Sequence, residues 1–555
     1  MSGNSKKQAI VVIHGMGEQK PMGTLRSFVK TIWRKDPVIA QGNCDNPAWI
    51  KPDARAGLQE LRRITTGKNA AGVRSDFYEF YWADLMQGTT WQHLMSWIRG
   101  LLLRSPVTVP WDVFMIWLIL WLIAIGAVFL SLSSVPDLTG TIAEAVCEMG
   151  GESRLCQFSR SADQFLNSTE KLLAPYKLPA LMAISTMGVL IVFPWQSLRH
   201  LRTWLTMPLL ALIVATIYVA AVVVERTNMS GFIIALAGLA LLNTFLVPYF
   251  GDVARYVQAK PENVERRKAV RDRGLALFHN LHDCEDYDRI IVVSHSLGTM
   301  VAYDVLAILW TEYGPSQTNP PTARAREEIS SLDKWIEKQR ASAEGLDVDA
   351  FQQRQRLLSR ELARCPDPPE PARPENQTPP RHKPWLISDF ITLGSPLTHA
   401  EFLLADDPKG LRELIGERVL PSCPPVTESN RKRNRRSFQY KNPADGAYYP
   451  HHAALFSAVR WTNICDPHNW FGFLFGDPIS GPVSANFGDG IKDIKVRIPK
   501  GSGGIPRFFT HTKYWQWLDE WDGDDAGLPS HITHLRHAVD LIDRDKSSTE
   551  KKPAC

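Results

Sequence analysis

Residues 290 to 306 limit the possible folds more than any other stretch. They read Ile290-Ile-Val-Val-Ser294-His295-Ser296-Leu297-Gly298-Thr299 and continue with helical apolar spacing to Leu306. A β-branched run, a turn of small residues and a helical pattern predict a strand, a sharp turn and a helix in direct succession. Such a turn lifts one serine Oγ above a sheet edge and aims the helix N-terminus at negative charge developing there. Ser296 is therefore the candidate nucleophile. Ser294 stands where a Gly-x-Ser-x-Gly turn has its first glycine, and Gly298 keeps the second.

Other strands are legible before and after this turn. Ala9 to Ile13 is a continuous apolar run ending in His14-Gly15-Met16-Gly17, which reads as a buried parallel strand delivering a glycine-bearing loop. The backbone N–H groups of Leu297 and of Met16 are the candidate oxyanion-hole donors. His14 is read as shaping the loop. Residues 76–84, Trp385 to Leu393, Ala458 to Cys465 and Ile491 to Ile498 give further strands. The expected class is α/β with a mostly parallel sheet. Residues 324–363 predict a helical hairpin broken near Gly345, and the proline-rich 365–384 an extended linker. Together they make an insertion over 315–384, with two readings, a passive surface excursion or a lid or partner-binding element.

At 555 residues the chain exceeds one ordinary domain. Its net charge of +5 gives no strong electrostatic case for nucleic acid. Eight cysteines without a Cys-x-x-Cys pair argue against a zinc or thioredoxin-like site. Val113 to Leu132, Leu178 to Leu198, Leu205 to Val224 and Met229 to Gly251 contain no Asp, Glu, Lys or Arg. Each is near the ~20 residues a membrane-spanning helix requires. The sequence thus predicts a four-helix transmembrane insertion over 105–251, acting as an anchor. Basic residues flanking the spans put both chain ends on the cytoplasmic side and the loop 133–177 on the other. There Cys147 and Cys156 are able to pair if the compartment is oxidising. Residues 1–104 and 252–555 then build one cytoplasmic domain of an integral membrane protein. The basic run 430–436 has two readings, a solvated loop or a contact with anionic headgroups.

A serine hydroxyl needs an imidazole within hydrogen-bond reach, itself oriented by a carboxylate. Nine histidines follow Ser296, and only His511 lies just after the last strand. His531, His534 and His537 read as the surface of a terminal helix. Two acids fit, Asp466 directly after a strand and Asp477 in a Gly-Asp-Pro turn, and spacing does not decide between them.

His-Gly-Met-Gly-Glu-Gln at 14–19, Phe-Tyr-Glu-Phe-Tyr-Trp-Ala at 77–83, Ser-His-Ser-Leu-Gly-Thr at 294–299, Thr-Leu-Gly-Ser-Pro-Leu at 392–397, Gly-Asp-Pro-Ile-Ser-Gly-Pro at 476–482 and His-Thr-Lys-Tyr-Trp at 511–515 recur together. This set resembles a membrane-associated serine lipase/esterase family of the α/β-hydrolase superfamily, close to its lipase-like and GPI-inositol-deacylase-like branches. The resemblance covers neither the spans, nor 315–385, nor the basic run. It implies an α/β-hydrolase fold and serine ester hydrolysis. It also favours Asp477, because the acid of such proteins opens an Asp-Pro-Ile/Val turn. No metal or organic cofactor is expected. With a bilayer as partner, lipid or lipid-like esters are the expected substrates. The competing expectation is a catalytically inactive hydrolase-like membrane scaffold.

Overall fold

The computed structural model describes residues 7–16, 20–36, 46–86, 256–257, 261–364, 383–430, 435–467, 476–498, 510–516 and 530–541, apart from 59, 70, 71, 285, 343, 344, 478 and 540, together with isolated helical positions among residues 121–164. The chain divides into two compact units. One comprises Met1–Gly88, Ser105–Val113 and Asp252–Cys555, the other Thr89–Arg104 and Phe114–Gly251. In the second unit Cys147 and Cys156 form a disulfide with Cα atoms 4.7 Å apart.

The first unit is built on one sheet of eight strands. In chain order these are β1 (Lys7–Ile13), β2 (Ala48–Pro52), β3 (Arg62–Lys68), β4 (Arg74–Phe80), β5 (Arg289–His295), β6 (Ile387–Leu393), β7 (Arg460–Cys465) and β8 (Lys492–Lys495). Their spatial order is β8-β7-β6-β5-β1-β4-β3-β2. The six strands from β8 to β4 run parallel, while β3 pairs antiparallel with β4 and β2 with β3. Strands covered on both faces must be apolar on both. Accordingly Ala9 to Ile13 are buried without interruption, and so is every residue of β6. β2 is the opposite case: an edge strand, largely exposed, closing on Pro52 where no ladder donor is needed.

Alternate residues divide the core. Ile10, Val12, Ile291, Val293, Ile391, Leu393 and Ile464 point to one face. They cluster with Leu25, Phe28 and Val29 of α1 (Gly23–Val29) and with Leu535 and Val539 of the terminal helix Ser530–Val539. On the other face Phe390 and Trp461 pack with Tyr303 of α2 (Gly298–Tyr313) and with Phe456, ring centroids lying 4.6–6.2 Å apart. The helical hairpin is present as Ala323–Arg340 and Val348–Leu362, with Gly345 at φ 77° in the turn between them.

Three expectations are corrected. Among the described residues no helix is long and apolar enough to cross a membrane. This overturns both the four-helix transmembrane insertion in the fold and the integral membrane location with cytoplasmic ends. Lack of charge describes composition only. Spanning demands a continuous apolar helix of ~20 residues with every backbone group bonded internally. The long described helix Pro261–Asp283 is instead rich in Arg, Lys, Asp and Glu. The four charge-free stretches themselves, except Trp121, lie outside the described residues. The third correction is His531, which is fully buried rather than on a helix surface, while His534 and His537 are exposed. The linker 365–382 also lies outside the described residues.

Candidate active site

Ligands of open parallel sheets bind beyond the strand C-termini, where neighbouring strands send the chain in opposite directions. Here that place is between β1 and β5. The strands following β1 extend the sheet one way and those following β5 the other. Both loops singled out in the sequence emerge there.

At the end of β5 the backbone turns sharply. Ser296 has φ 54°, a left-handed conformation that costs a non-glycine residue of order 1–3 kcal/mol and is held only when its surroundings demand it. Those surroundings are visible: Ser296 N–H donates to Leu393 O at 3.0 Å, and Thr299 N–H and Oγ1–H donate to Ser296 O at 2.9 and 2.7 Å. Ser294, replacing the usual glycine, satisfies its hydroxyl by donating to Ile391 O of β6 at 3.2 Å. Leu297 is buried at the entrance to α2, as the residue that precedes its first turn.

The β1 loop lies against this turn. A β-carbon on Gly15 would be 2.7 Å from Ser296 Cβ, so only glycine permits this close approach of the β1 loop to the nucleophile. His14 donates from Nδ1 to Gly15 O at 2.7 Å and accepts Trp82 N–H at Nε2 at 3.1 Å, with its ring stacked on Trp82. Burial lowers its pKa to about 4. It is a neutral brace of the loop.

Ser296, His511 and Asp477 come together as an unbroken chain of hydrogen bonds. His511 Nδ1–H donates to Asp477 at 2.9 and 3.0 Å, which leaves Nε2 to accept the Ser296 hydroxyl at 2.8 Å. All three are buried, Ser296 being 1% exposed. Burial alone would raise the Asp477 pKa. The neighbouring His511, the bonds from His511 and Tyr514, and the Ile479 N–H outweigh it, and the carboxyl is held below its ordinary value.

Asp466 is next to this chain with a different set of partners. Its carboxylate accepts Thr510 Oγ1–H at 2.7 Å and Ile498 N–H at 3.4 Å, while its carbonyl accepts Asp477 N–H at 3.0 Å. It thus ties the loop carrying the acid to the residue preceding His511. Burial pushes its pKa up to about 6, against the bond from Thr510.

No family model, curated protein or solved structure matches the chain. Its chemistry therefore follows from geometry. Two further residues join the site, although both lie inside motifs visible in the sequence. Tyr514 Oη–H donates to Asp477 Oδ2 at 2.8 Å, and Tyr514 Oη itself accepts from Ser480 Oγ–H and from Asp466 N–H. His295 donates from Nε2 to the carbonyl of His511 at 2.7 Å, and burial lowers its pKa to about 3. The signals available were the Tyr three places after His511 and the His just before Ser296. Gly394 closes the site from β6: at φ 57°, a β-carbon there would meet Tyr514 Cε2 at 2.7 Å and Asp477 Oδ2 at 3.0 Å. Among the described residues no group of three or more His, Cys, Asp or Glu is arranged to hold a metal ion.

Proposed function

We propose that this chain is a serine hydrolase of the α/β-hydrolase type that cleaves a carboxylic ester. The observation that carries the reading is the continuous Ser296–His511–Asp477 hydrogen-bond chain with links of 2.8 and 2.9 Å. Ser296 Oγ attacks the ester carbonyl while its proton passes to His511 Nε2. Asp477 keeps His511 in the Nδ1–H tautomer and stabilises the imidazolium. The N–H groups of Leu297 and Met16 receive the oxyanion. The alcohol leaves with the proton from His511, and water then releases the acid from Ser296 by the same steps in reverse roles.

A fluorophosphonate probe tests this reading, since it bonds only to an activated serine. Wild type is expected to take up one label, lost in Ser296→Ala and strongly slowed in His511→Ala. Labelling that persists in Ser296→Ala, or wild type that takes up none, would leave a hydrolase-like scaffold without catalysis.

A further inference from the structure

The hydrogen-bond chain through Ser296, His511 and Asp477 does not end at the carboxylate. Asp477 is held below its ordinary pKa and is therefore an acceptor only. The 2.8 Å contact between its Oδ2 and Tyr514 Oη must then be donated by the tyrosine. A hydroxyl has one proton and two lone pairs. With the proton spent on Asp477, the 2.8 Å contact with Ser480 Oγ is donated by the serine, and Asp466 N–H donates to the tyrosine oxygen at 3.1 Å. All three positions of the Tyr514 hydroxyl are filled, which fixes its direction. The ring is fixed as well: it is 1% exposed, and a β-carbon on Gly394 would meet its Cε2 at 2.7 Å. Burial and the neighbouring carboxylate push the Tyr514 pKa well above the usual phenol range, so the proton stays on the donor.

The oxygen that Tyr514 reaches is shared with the imidazole. His511 Nδ1 lies 2.9 Å from Oδ2 and 3.0 Å from Oδ1, and Oδ1 also accepts Ile479 N–H at 3.0 Å. Each donor draws negative charge from the carboxylate and leaves less for the others. We propose that Tyr514 is a positioning residue that clamps Asp477 and limits how strongly the carboxylate stabilises a protonated His511. The inference rests on the serine-hydrolase reading above. That chemistry needs the imidazolium stabilised when Ser296 gives up its proton, yet His511 neutral again before the next attack. A carboxylate with a second donor in place meets both needs. The other ionisable groups around the pair come from separate elements: His295 at the end of β5, Asp466 at the end of β7 and Arg497 beyond β8, with His14 next to His295.

The pH profile of kcat/KM for p-nitrophenyl butyrate tests this in Tyr514→Phe, which keeps the ring and removes the one donor. The more basic carboxylate then holds the imidazolium more tightly, so the acid limb should move to higher pH by about half a unit or more while the plateau falls about tenfold. Fluorotyrosine placed at position 514, a stronger donor of nearly the same shape, should move the limb the other way. Ser480→Ala removes a bond to the same hydroxyl but leaves the Tyr514–Asp477 bond in place, and its limb should move by less than about 0.2 unit. The Tyr514→Phe shift should recur in an Asp466→Asn background, where the adjacent carboxyl no longer titrates. A limb that stays in place or moves to lower pH in Tyr514→Phe, an equal shift in Ser480→Ala, or a shift lost in the Asp466→Asn background would overturn the proposal. Proton NMR of the resting enzyme reads the same bond without turnover. The Nδ1–H resonance of His511, identified by its absence in His511→Gln, should lie further downfield in Tyr514→Phe. An unmoved resonance overturns the role of Tyr514 even where wild type takes up the fluorophosphonate. A moved resonance in a protein that takes up no label keeps this role and removes the serine-hydrolase reading alone.

Discussion

At the scale of single residues, the two aspartates near His511 have separable roles. Asp477 touches the imidazole, whereas Asp466 acts through Thr510 and the Asp477 backbone. Asp477→Asn is expected to lower ester turnover about 10⁴-fold, the loss typical when a triad carboxylate becomes an amide. Asp466→Asn keeps an acceptor for Thr510 and should cost less than about tenfold. Steady-state kinetics on both variants decides the assignment, and the reverse ranking would make Asp466 the acid. Asp466 also predicts a pH dependence of stability. Its folded pKa, about 6, exceeds its ordinary value of 3.8, so the folded state binds the proton more tightly. Stability from this group is complete below about pH 4 and is lost as pH rises through 6, by roughly 3 kcal/mol in all. Denaturant titrations at intervals from pH 4 to 7 should show wild type losing this amount relative to Asp466→Asn; parallel profiles would contradict it. Asp477, held below its ordinary value, acts with the opposite sign and only in more acid solution. Sequence spacing left both acids open, because both follow the same strand and their partners are hydroxyls and backbone groups from distant loops. Tyr514 and His295 had no assigned role for the same reason: their hydrogen bonds span 37 and 216 residues.

At the scale of elements, the helical hairpin was legible because its apolar residues Ile329, Leu332 and Ile336 recur at helical spacing and all three are buried. What it packs against was not legible. The end of the basic run is structural: Arg435 reaches the buried Asp333 at 2.7 Å, and Arg436 donates to the Thr427 carbonyl at 2.5 Å. Residues 431–434 lie outside the described residues. Asp333 further accepts from Ser437 Oγ, Gln439 Nε2 and Phe438 N–H, and so fastens the strand Arg435–Ser437 to the first hairpin helix. Asp333→Ala strands a nearly buried guanidinium and three polar groups, and should cost about 3–5 kcal/mol. Glu337→Ala, which removes a more exposed partner of Arg435, should cost less than about 1 kcal/mol. Urea unfolding midpoints compare the two, and equal losses would show that Asp333 is not the anchor. The edge hairpin β2–β3 went unread because Ala48–Pro52 shows neither alternation nor a continuous apolar run, and its Trp49 and Ile50 are about half exposed.

At the scale of the whole molecule, the parallel strands were the most legible feature, since doubly covered strands must be apolar throughout. The membrane expectation failed because it rested on composition alone, and the described residues contain no helix able to span a bilayer. What the fold provides is convergence. Residues 15, 296, 477 and 511 meet at the ends of parallel strands, and the loops beyond those strands are fixed by buried hydrogen bonds. The most direct measurement of the central claim is mass spectrometry of the protein quenched in acid during turnover of p-nitrophenyl butyrate. The expected result is a butyryl group on the peptide containing Ser296, formed with a burst of p-nitrophenol and absent in Ser296→Ala. Hydrolysis that continues in Ser296→Ala, or an acyl group found on a different residue, would contradict the account.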